Sequence, residues 1–249
     1  MENNNLIIEI NNLCKSYRSF KLNDISFSLS RGEVVGLIGP NGAGKSTLIK
    51  LILNIVESDS GEVIFLGEDI SNSKNPLYKE KIGYVGEYID YFPNQKIKNI
   101  KRFYQMYFQD WDEQIYQYLF NDVFELSGDM KIKELSKGMR VKFSLALALS
   151  HNPKLLIMDE PTSGLDPIVR SKILKILRAY SKENGTAILF SSHITEDMNK
   201  IADKLIFLNH GKILGKCQMD EMKKKKCKID EYLERLIGNE ESKYEKNLF

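Results

Sequence analysis

The fold of this 249-residue chain is decided by the stretch VVGLIGPNGAGKST, which runs from Val34 to Thr47. Its first five residues read as a strand covered on both faces, and residues 39–46 then match G-x-x-x-x-G-K-S where a helical pattern opens. Glycines without a Cβ let the backbone wrap closely around a phosphate, which then faces the positive end of the helix dipole. The motif predicts that nine residues bind nucleotide phosphates: Gly39, Pro40, Asn41, Gly42, Ala43, Gly44, Lys45, Ser46 and Thr47. A chance glycine-rich turn before a lysine is the other interpretation, and the flanking strand and helix argue against it.

Two carboxylates, Asp159 and Glu160, end a second buried run, LLIMDE. Nucleotide sites of parallel sheets lie at this end of the strands. We therefore expect Asp159 to hold Mg²⁺ together with the Ser46 hydroxyl, Lys45 to reach the β- and γ-phosphates, and Glu160 to act as the general base toward the attacking water. An acidic pair after a strand would alone fit a helix cap equally well. Together the two elements predict only a P-loop nucleotide hydrolase with Mg²⁺, and the nucleotide is expected to be ATP.

Short apolar runs elsewhere predict an α/β fold around this strand. Continuously apolar runs are typical of parallel strands, whereas Ile25–Leu29 alternates as an antiparallel strand with one wet face would. Helical patterns begin at Lys45, Met139 and Asp166. The expected strands are Ile7–Ile10, Ile25–Leu29, Val34–Ile38, Val63–Leu66, Ile82–Val85, Leu155–Met158, Ala187–Phe190 and Leu205–Leu208. The prediction is a P-loop NTPase core with a mostly parallel sheet, an N-terminal antiparallel β subdomain, and a helical subdomain inserted at about residues 88–150.

Composition limits the classes of function. The chain has 36 Lys and Arg residues against 34 Asp and Glu residues, so charge gives no argument for a nucleic-acid partner. No apolar run approaches the roughly 18 to 20 residues that span a bilayer. The N-terminus does not resemble a secretory signal. Three scattered cysteines, Cys14, Cys217 and Cys227, are interpreted as free thiols of a cytosolic protein.

Three further motifs narrow the class of hydrolase. ELSKGM at Glu134–Met139 precedes LLIMDE, GLDP at Gly164–Pro167 follows it, and His193 ends the run AILFSSH. In this order, and over residues 6–215, the chain resembles the ATP-binding cassette family, specifically the nucleotide-binding subunit of an ABC transporter. The sequence SKGM with LALALSHNP is most similar to subunits of bacterial ABC-2-type exporters.

The resemblance implies roles for five residues. Tyr17 would stack on adenine, and Ser136 and Gly138 would contact the γ-phosphate of ATP held by an opposite subunit. His193 would hydrogen-bond the γ-phosphate and the water, and Asp166 would link the two subunits' sites. Each has a plainer interpretation: a packed tyrosine, helix caps for Ser136 and Asp166, and a structural histidine.

The chain departs from the family pattern in two motifs. Glu87 stands where a metal-proximal Gln is usual, and Gln95 lies too far along the chain to replace it. A carboxylate also binds Mg²⁺, so Glu87 is predicted as a metal ligand. Lys137 gives the signature SKGM in place of SGGQ, and its ammonium either lies near the γ-phosphate or points to water. The run Lys223–Lys226 either touches anionic lipid or is a solvated helix face.

The resemblance also implies partners: separate transmembrane permease subunits, and a homodimer or a heterodimer with a related ATPase subunit. The expected location is the cytoplasmic side of the cell membrane. Residues 6–215 would form the ATP-binding domain and residues 216–249 a charged helical tail. Two other interpretations stay open: a soluble cassette ATPase acting on ribosomes or DNA, and a P-loop kinase, which leaves ELSKGM unexplained.

Overall fold

The computed structural model describes residues 5–86 and 91–246, with side chains as far as residue 238. Within these residues the strands are β1 Leu6–Ser16, β2 Lys21–Ser30, β3 Val34–Ile38, β4 Ser60–Phe65, β5 Glu68–Asp69, β6 Ile82–Val85, β7 Leu155–Asp159, β8 Ala187–Ser191, β9 Lys204–Asn209 and β10 Lys212–Gln218. The α-helices are α1 Lys45–Ile52, α2 Ile97–Tyr107, α3 Glu113–Gln117, α4 Lys137–Leu149, α5 Pro167–Asn184, α6 Thr195–Ile201, α7 Met219–Lys224 and α8 Ile229–Lys246.

The strands form two sheets. An antiparallel sheet has the order β2-β1-β4-β5, and a second sheet has the order β10-β9-β3-β8-β7-β6. The second sheet is parallel except for β10, which pairs antiparallel with β9. The prediction of a mostly parallel core with an antiparallel N-terminal layer is therefore confirmed.

The parallel sheet lies between two apolar clusters, and the side chains of β3 contribute to both of them. All five residues of β3 are buried. Val34 and Ile38 pack into one cluster with the helical insertion and α5, whereas Val35 and Leu37 pack into the other with α1 and the antiparallel sheet. Because side chains alternate across a strand, a strand covered on both faces must be apolar throughout. The continuously apolar runs of the sequence have this origin.

The insertion between β6 and β7 is mostly helical over its described part, residues 91–150, with turns and one β-bridge, Lys96–Lys131, between the helices. α3 continues into a π-helical turn at Tyr118–Val123, and a 3₁₀ turn at Ile132–Glu134 precedes α4. Its aromatic residues divide into two groups. Tyr116 stacks on Phe120 with ring centroids 5.1 Å apart, inside the core, while Phe103 on α2 is exposed. The aromatic-rich segment is thus core in part only.

The C-terminal segment packs on the same core. Met219, Met222 and Ile229 of α7 and α8 are buried in the cluster that also holds Phe207 of β9. The predicted domain division at residue 215 falls inside β10, and it stays a prediction. In the described ranges, no helix has both the length and the apolarity that a membrane span requires.

Candidate functional site

A cleft of about 880 Å³ surrounds the loop between β3 and α1. The residues that line it are Tyr17, Ser19, Phe20, Pro40, Asn41, Gly42, Ala43, Gly44, Lys45, Ser46, Thr47, Lys50, Val56 and Glu160. The loop needs its glycines: Gly42 and Gly44 have φ angles of +81° and +109°, and a Cβ on Gly39 would lie 2.2 Å from the Leu208 carbonyl oxygen. No side chain in the described structure caps the first turn of α1, so its amides stay available to an anion.

Lys45 carries its positive charge into this cleft. Its side chain is only 7% exposed, and Nζ donates to the Gly39 carbonyl oxygen at 2.7 Å and the Pro40 carbonyl oxygen at 3.3 Å. Nζ also lies 3.5 Å from Glu160 Oε1. An ammonium held by carbonyls beside uncapped amides suits the phosphates of a nucleotide. The loop therefore fits the ligand that the sequence predicts for it.

Glu160 lines the cleft and contacts His193, which does not line it in the described structure. His193 Nδ1 lies 2.7 Å from Glu160 Oε2, and the His193 amide donates to the same oxygen at 3.4 Å. Glu160 has a φ of +50°, a left-handed conformation that is costly for a side chain with a Cβ and that concentrates at functional sites. Its amide donates to Ser191 Oγ at 3.0 Å, which holds it in place. The predicted base and the predicted histidine are thus brought together.

Asp159 lies one residue earlier, at the buried end of β7. Its Oδ1 accepts a hydrogen bond of 2.7 Å from Ser191 Oγ. Burial, and after it the charge of Asp159, raises the pKa of Tyr84 on the adjacent strand β6. Asp159 and Ser46 are the described members of the predicted metal set. Glu87 lies outside the described residues.

Mg²⁺ is usually bound by one or two carboxylates together with substrate phosphates and water. In the described part of the chain, no three His, Cys, Asp or Glu side chains converge as a metal site. One buried carboxylate and one hydroxyl beside a phosphate loop suit Mg²⁺ bound together with its nucleotide.

Tyr17 lines the cleft and is 46% exposed, so its ring is accessible for stacking on a base. Phe20 also lines the cleft and lies against Gly44. A Cβ added to Gly44 would lie 2.7 Å from the Phe20 ring. Sequence reasoning missed Phe20, although it follows Tyr17 by three residues in the same loop. It also missed Ser191, whose hydroxyl contacts both acidic residues.

Ser136, Gly138 and Asp166 do not line this cleft in the described structure. Ser136 Oγ caps α4 by accepting from the Met139 amide at 3.2 Å. Asp166 Oδ1 caps α5, accepting from the amides of Ile168 and Val169 at 3.1 and 3.0 Å. Both residues are therefore helix caps, and their roles toward a second subunit stay predictions.

These two loops contact each other within the chain. A Cβ on Gly164 would lie 3.6 Å from Lys137 Nζ, and one on Gly138 would lie 3.7 Å from Leu165 Cδ2. Lys137 is exposed, and its ammonium lies over the GLDP loop of its own chain. The signature loop and the GLDP loop thus form one continuous surface, separate from the cleft.

Comparisons with known proteins point to one family. The sequence pattern of the ABC transporter family matches residues 22–163. The Nod factor export ATP-binding protein I of Sinorhizobium fredii is 34% identical over 82% of this chain and 61% of its own length. The phosphonates import ATP-binding protein PhnC of Treponema denticola is 33% identical over 84% of this chain and 88% of its own.

A solved structure described as the ATP binding subunit of an ABC transporter superposes with a TM-score of 0.83 at 27% identity, covering 93% of this chain and 99% of that one. The residues that match the family pattern include the phosphate loop and both acidic residues. The chain belongs to the ABC transporter family, as an ATP-binding subunit and an ATPase that binds its nucleotide with Mg²⁺.

Proposed function

We propose that two copies of this chain bind two ATP molecules head to tail and hydrolyse them to drive transport through separate transmembrane subunits. One observation carries the proposal: the cleft and the Ser136–Gly138 loop are separate surfaces of the same chain. A single copy thus has two halves of a site that do not meet. Two copies in isologous contact would bring each half against its complement.

Within each composite site the residues have distinct tasks. Tyr17 stacks on the adenine, and the loop amides with Lys45 bind the phosphates. Glu160 accepts a proton from the attacking water, and His193 orients that water and the γ-phosphate from its position against Glu160 Oε2. Phosphates draw Lys45 Nζ away from Glu160 Oε1, which leaves that oxygen free to accept the proton.

Magnesium, when bound, neutralises charge on the phosphate oxygens. Ser46 and Asp159 would hold it, and Glu87 is the third predicted ligand. The partner copy contributes the helix end at Ser136 and Gly138 to the γ-phosphate, while Asp166 lies at the contact between the two sites. ATP therefore binds more tightly to the dimer in which the two copies are in contact than to the dimer in which they are apart. This difference in affinity is what allows ATP to shift the protein toward the closed dimer.

The transmembrane subunits would contact the inserted helical subdomain, residues 88–150, at the cytoplasmic face of the membrane. We propose export as the direction, because SKGM with LALALSHNP resembles ABC-2-type exporter subunits. Relatives named for export and for import are similar to this chain to nearly the same degree, 34% and 33% identity. The resemblance in the signature region is thus the support for export. Co-purification with a polytopic membrane protein supports a transporter, and sedimentation with ribosomes contradicts it.

The proposed base is tested by Glu160→Gln, which keeps the side-chain shape and removes the proton acceptor. We expect unchanged ATP binding, loss of turnover and a dimer trapped by ATP in size-exclusion chromatography. Glu183→Gln, an exposed position near the end of α5, is the matched control and should behave as wild type. Hydrolysis by Glu160→Gln at the wild-type rate would show that the assigned base is wrong.

A further inference from the structure

A buried carboxylate, Asp197, lies behind the paired Glu160 and His193. Asp197 is on α6 and is 0% exposed. Thr162 Oγ1, which is equally buried, donates to Asp197 Oδ2 at 2.7 Å. Arg170 Nε lies 3.2 Å from Asp197 Oδ1. None of the three residues Thr162, Arg170 and Asp197 lines the cleft within the described structure.

These contacts join the three segments that hold Glu160, Asp166 and His193, the residues with proposed roles in hydrolysis. Thr162 follows Glu160 by two residues, Arg170 follows Asp166 by four, and Asp197 follows His193 by four. The intervening backbone is short and hydrogen-bonded. The Ser163 amide donates to the Glu160 carbonyl at 3.2 Å, and the Asp197 amide donates to the Ile194 carbonyl at 3.2 Å. The Arg170 amide donates to the Asp166 carbonyl at 3.0 Å. Asp197 is therefore connected to each of the three segments by short contacts.

Stability alone is a poor explanation for this arrangement. A buried ion pair gains little over apolar residues of the same size, because both charges lose their water. The pair is also imperfectly made: Arg170 Nε and Asp197 Oδ1 are at ion-pair distance, yet neither atom has a hydrogen bond within the described structure. The Arg170 Nη2 is turned instead to the exposed Glu196 Oε2, at 3.2 Å. An arginine shared between two carboxylates suits an element that sets an orientation.

We propose that Asp197 is a positioning residue for ATP hydrolysis, which holds the His193 segment against the Glu160 segment through Thr162 and against the GLDP loop through Arg170. The inference rests on the proposed function, since it assigns the base and histidine roles to Glu160 and His193. Its effect is on the chemical step, because the residues that contact nucleotide are left in place. Loss of the contacts of Asp197 with Thr162 and Arg170 lowers kcat and leaves ATP affinity unchanged.

The test compares Thr162→Val, which keeps the shape and removes the hydroxyl, with Thr162→Ser, which keeps the hydroxyl. We expect Thr162→Val to lower kcat by about 10- to 100-fold, the range that a hydrogen bond to a charged group is worth, with the Kd for ATP within about twofold of wild type. Thr162→Ser should stay within about threefold of the wild-type kcat, because a hydroxyl still reaches Asp197. Wild-type kcat in Thr162→Val, or equal losses in both variants, would overturn the proposal.

Two further variants keep the result interpretable. Arg170→Gln removes the ion pair of Arg170 with Asp197 at a partly exposed side chain. If Thr162→Val does not fold, the kcat and Kd of Arg170→Gln test the proposal by the same criteria. The control is Asp203→Asn, which breaks the ion pair of Asp203 with Arg178. Arg178 lies on α5, far along the helix from the GLDP loop, so this variant should lower stability without lowering kcat. Glu160→Gln separates the two hypotheses: if it abolishes turnover while Thr162→Val is normal, only the positioning role fails.

Discussion

His151 links the end of α4 to the rest of the molecule, and its protonation should destabilise the fold. The side chain is 2% exposed and stacks on Phe108 of the insertion, with ring centroids 3.9 Å apart at an interplanar angle of 12°. Its Nδ1 lies 3.1 Å from the Glu80 carbonyl oxygen. A carbonyl only accepts, so Nδ1 carries a proton.

Burial is the main cause that lowers the pKa of His151 from 6.5 to about 4. The unfolded chain therefore binds the proton first as the pH falls, and the folded state loses stability between pH 6.5 and about pH 4. At about 1.4 kcal/mol per pKa unit the full effect is about 3 kcal/mol, and about 2 kcal/mol of it falls between pH 7.5 and pH 5.

The assay is urea unfolding at several pH values, followed by the fluorescence of Trp111, the single tryptophan of the chain. His151→Phe keeps an aromatic ring and removes the titrating group. It should be less stable than wild type by about 1 kcal/mol at pH 7.5, because the Glu80 carbonyl loses its donor, and should overtake wild type at about pH 6, where wild type has lost about 1 kcal/mol. The control is His210→Asn, at an exposed turn. Parallel curves for wild type and His151→Phe would refute the reasoning.

Three other predictions concern the cleft and the sheet. Tyr17→Ala should raise the Kd for ATP by about 5- to 100-fold in calorimetric titration, while Tyr17→Phe stays near wild type; equal losses would exclude stacking. Gly39→Ala places a Cβ 2.2 Å from the Leu208 carbonyl oxygen, so the loop must move; unaltered ATP affinity would contradict the close packing seen there. Asp203 accepts two hydrogen bonds of 2.6 Å from Arg178, and Asp203→Asn should lower the free energy of unfolding by about 1–3 kcal/mol in urea titration; an unchanged value would contradict this contribution.

Local sequence was sufficient for the parallel core. A strand such as β3 is covered on both faces, so its composition reveals its burial without knowledge of its neighbours. The helix starts at Ser136 and Asp166 were equally accessible, because a cap is a contact between residues two or three apart. The phosphate loop was predictable because its chemistry lies in one continuous segment.

Contacts between distant segments were not predictable in this way. Ser191 reaches Asp159 only because β7 and β8 are neighbours in the sheet, and Asp197 reaches Thr162 only because α6 returns beneath the same edge. The π-helical turn at Tyr118–Val123 likewise depends on packing of the insertion, since hydrophobic periodicity does not distinguish it from an α-helix. The roles of Ser136 and His193 came from family resemblance, and their local patterns alone would have indicated a helix cap and a structural histidine.

The central claim is that each ATP site is built from two copies of the chain, and mixing two inactive variants tests it most directly. Lys45→Ala removes the phosphate-binding ammonium, whereas Ser136→Asp keeps a helix cap and places a carboxylate where the partner's γ-phosphate would lie. Each variant alone should hydrolyse ATP poorly. A mixed dimer has one site with Lys45 and Ser136 both intact, so the mixture should hydrolyse ATP well above the sum of its components. Activity equal to that sum, or a wild-type rate for Ser136→Asp alone, would contradict a shared site.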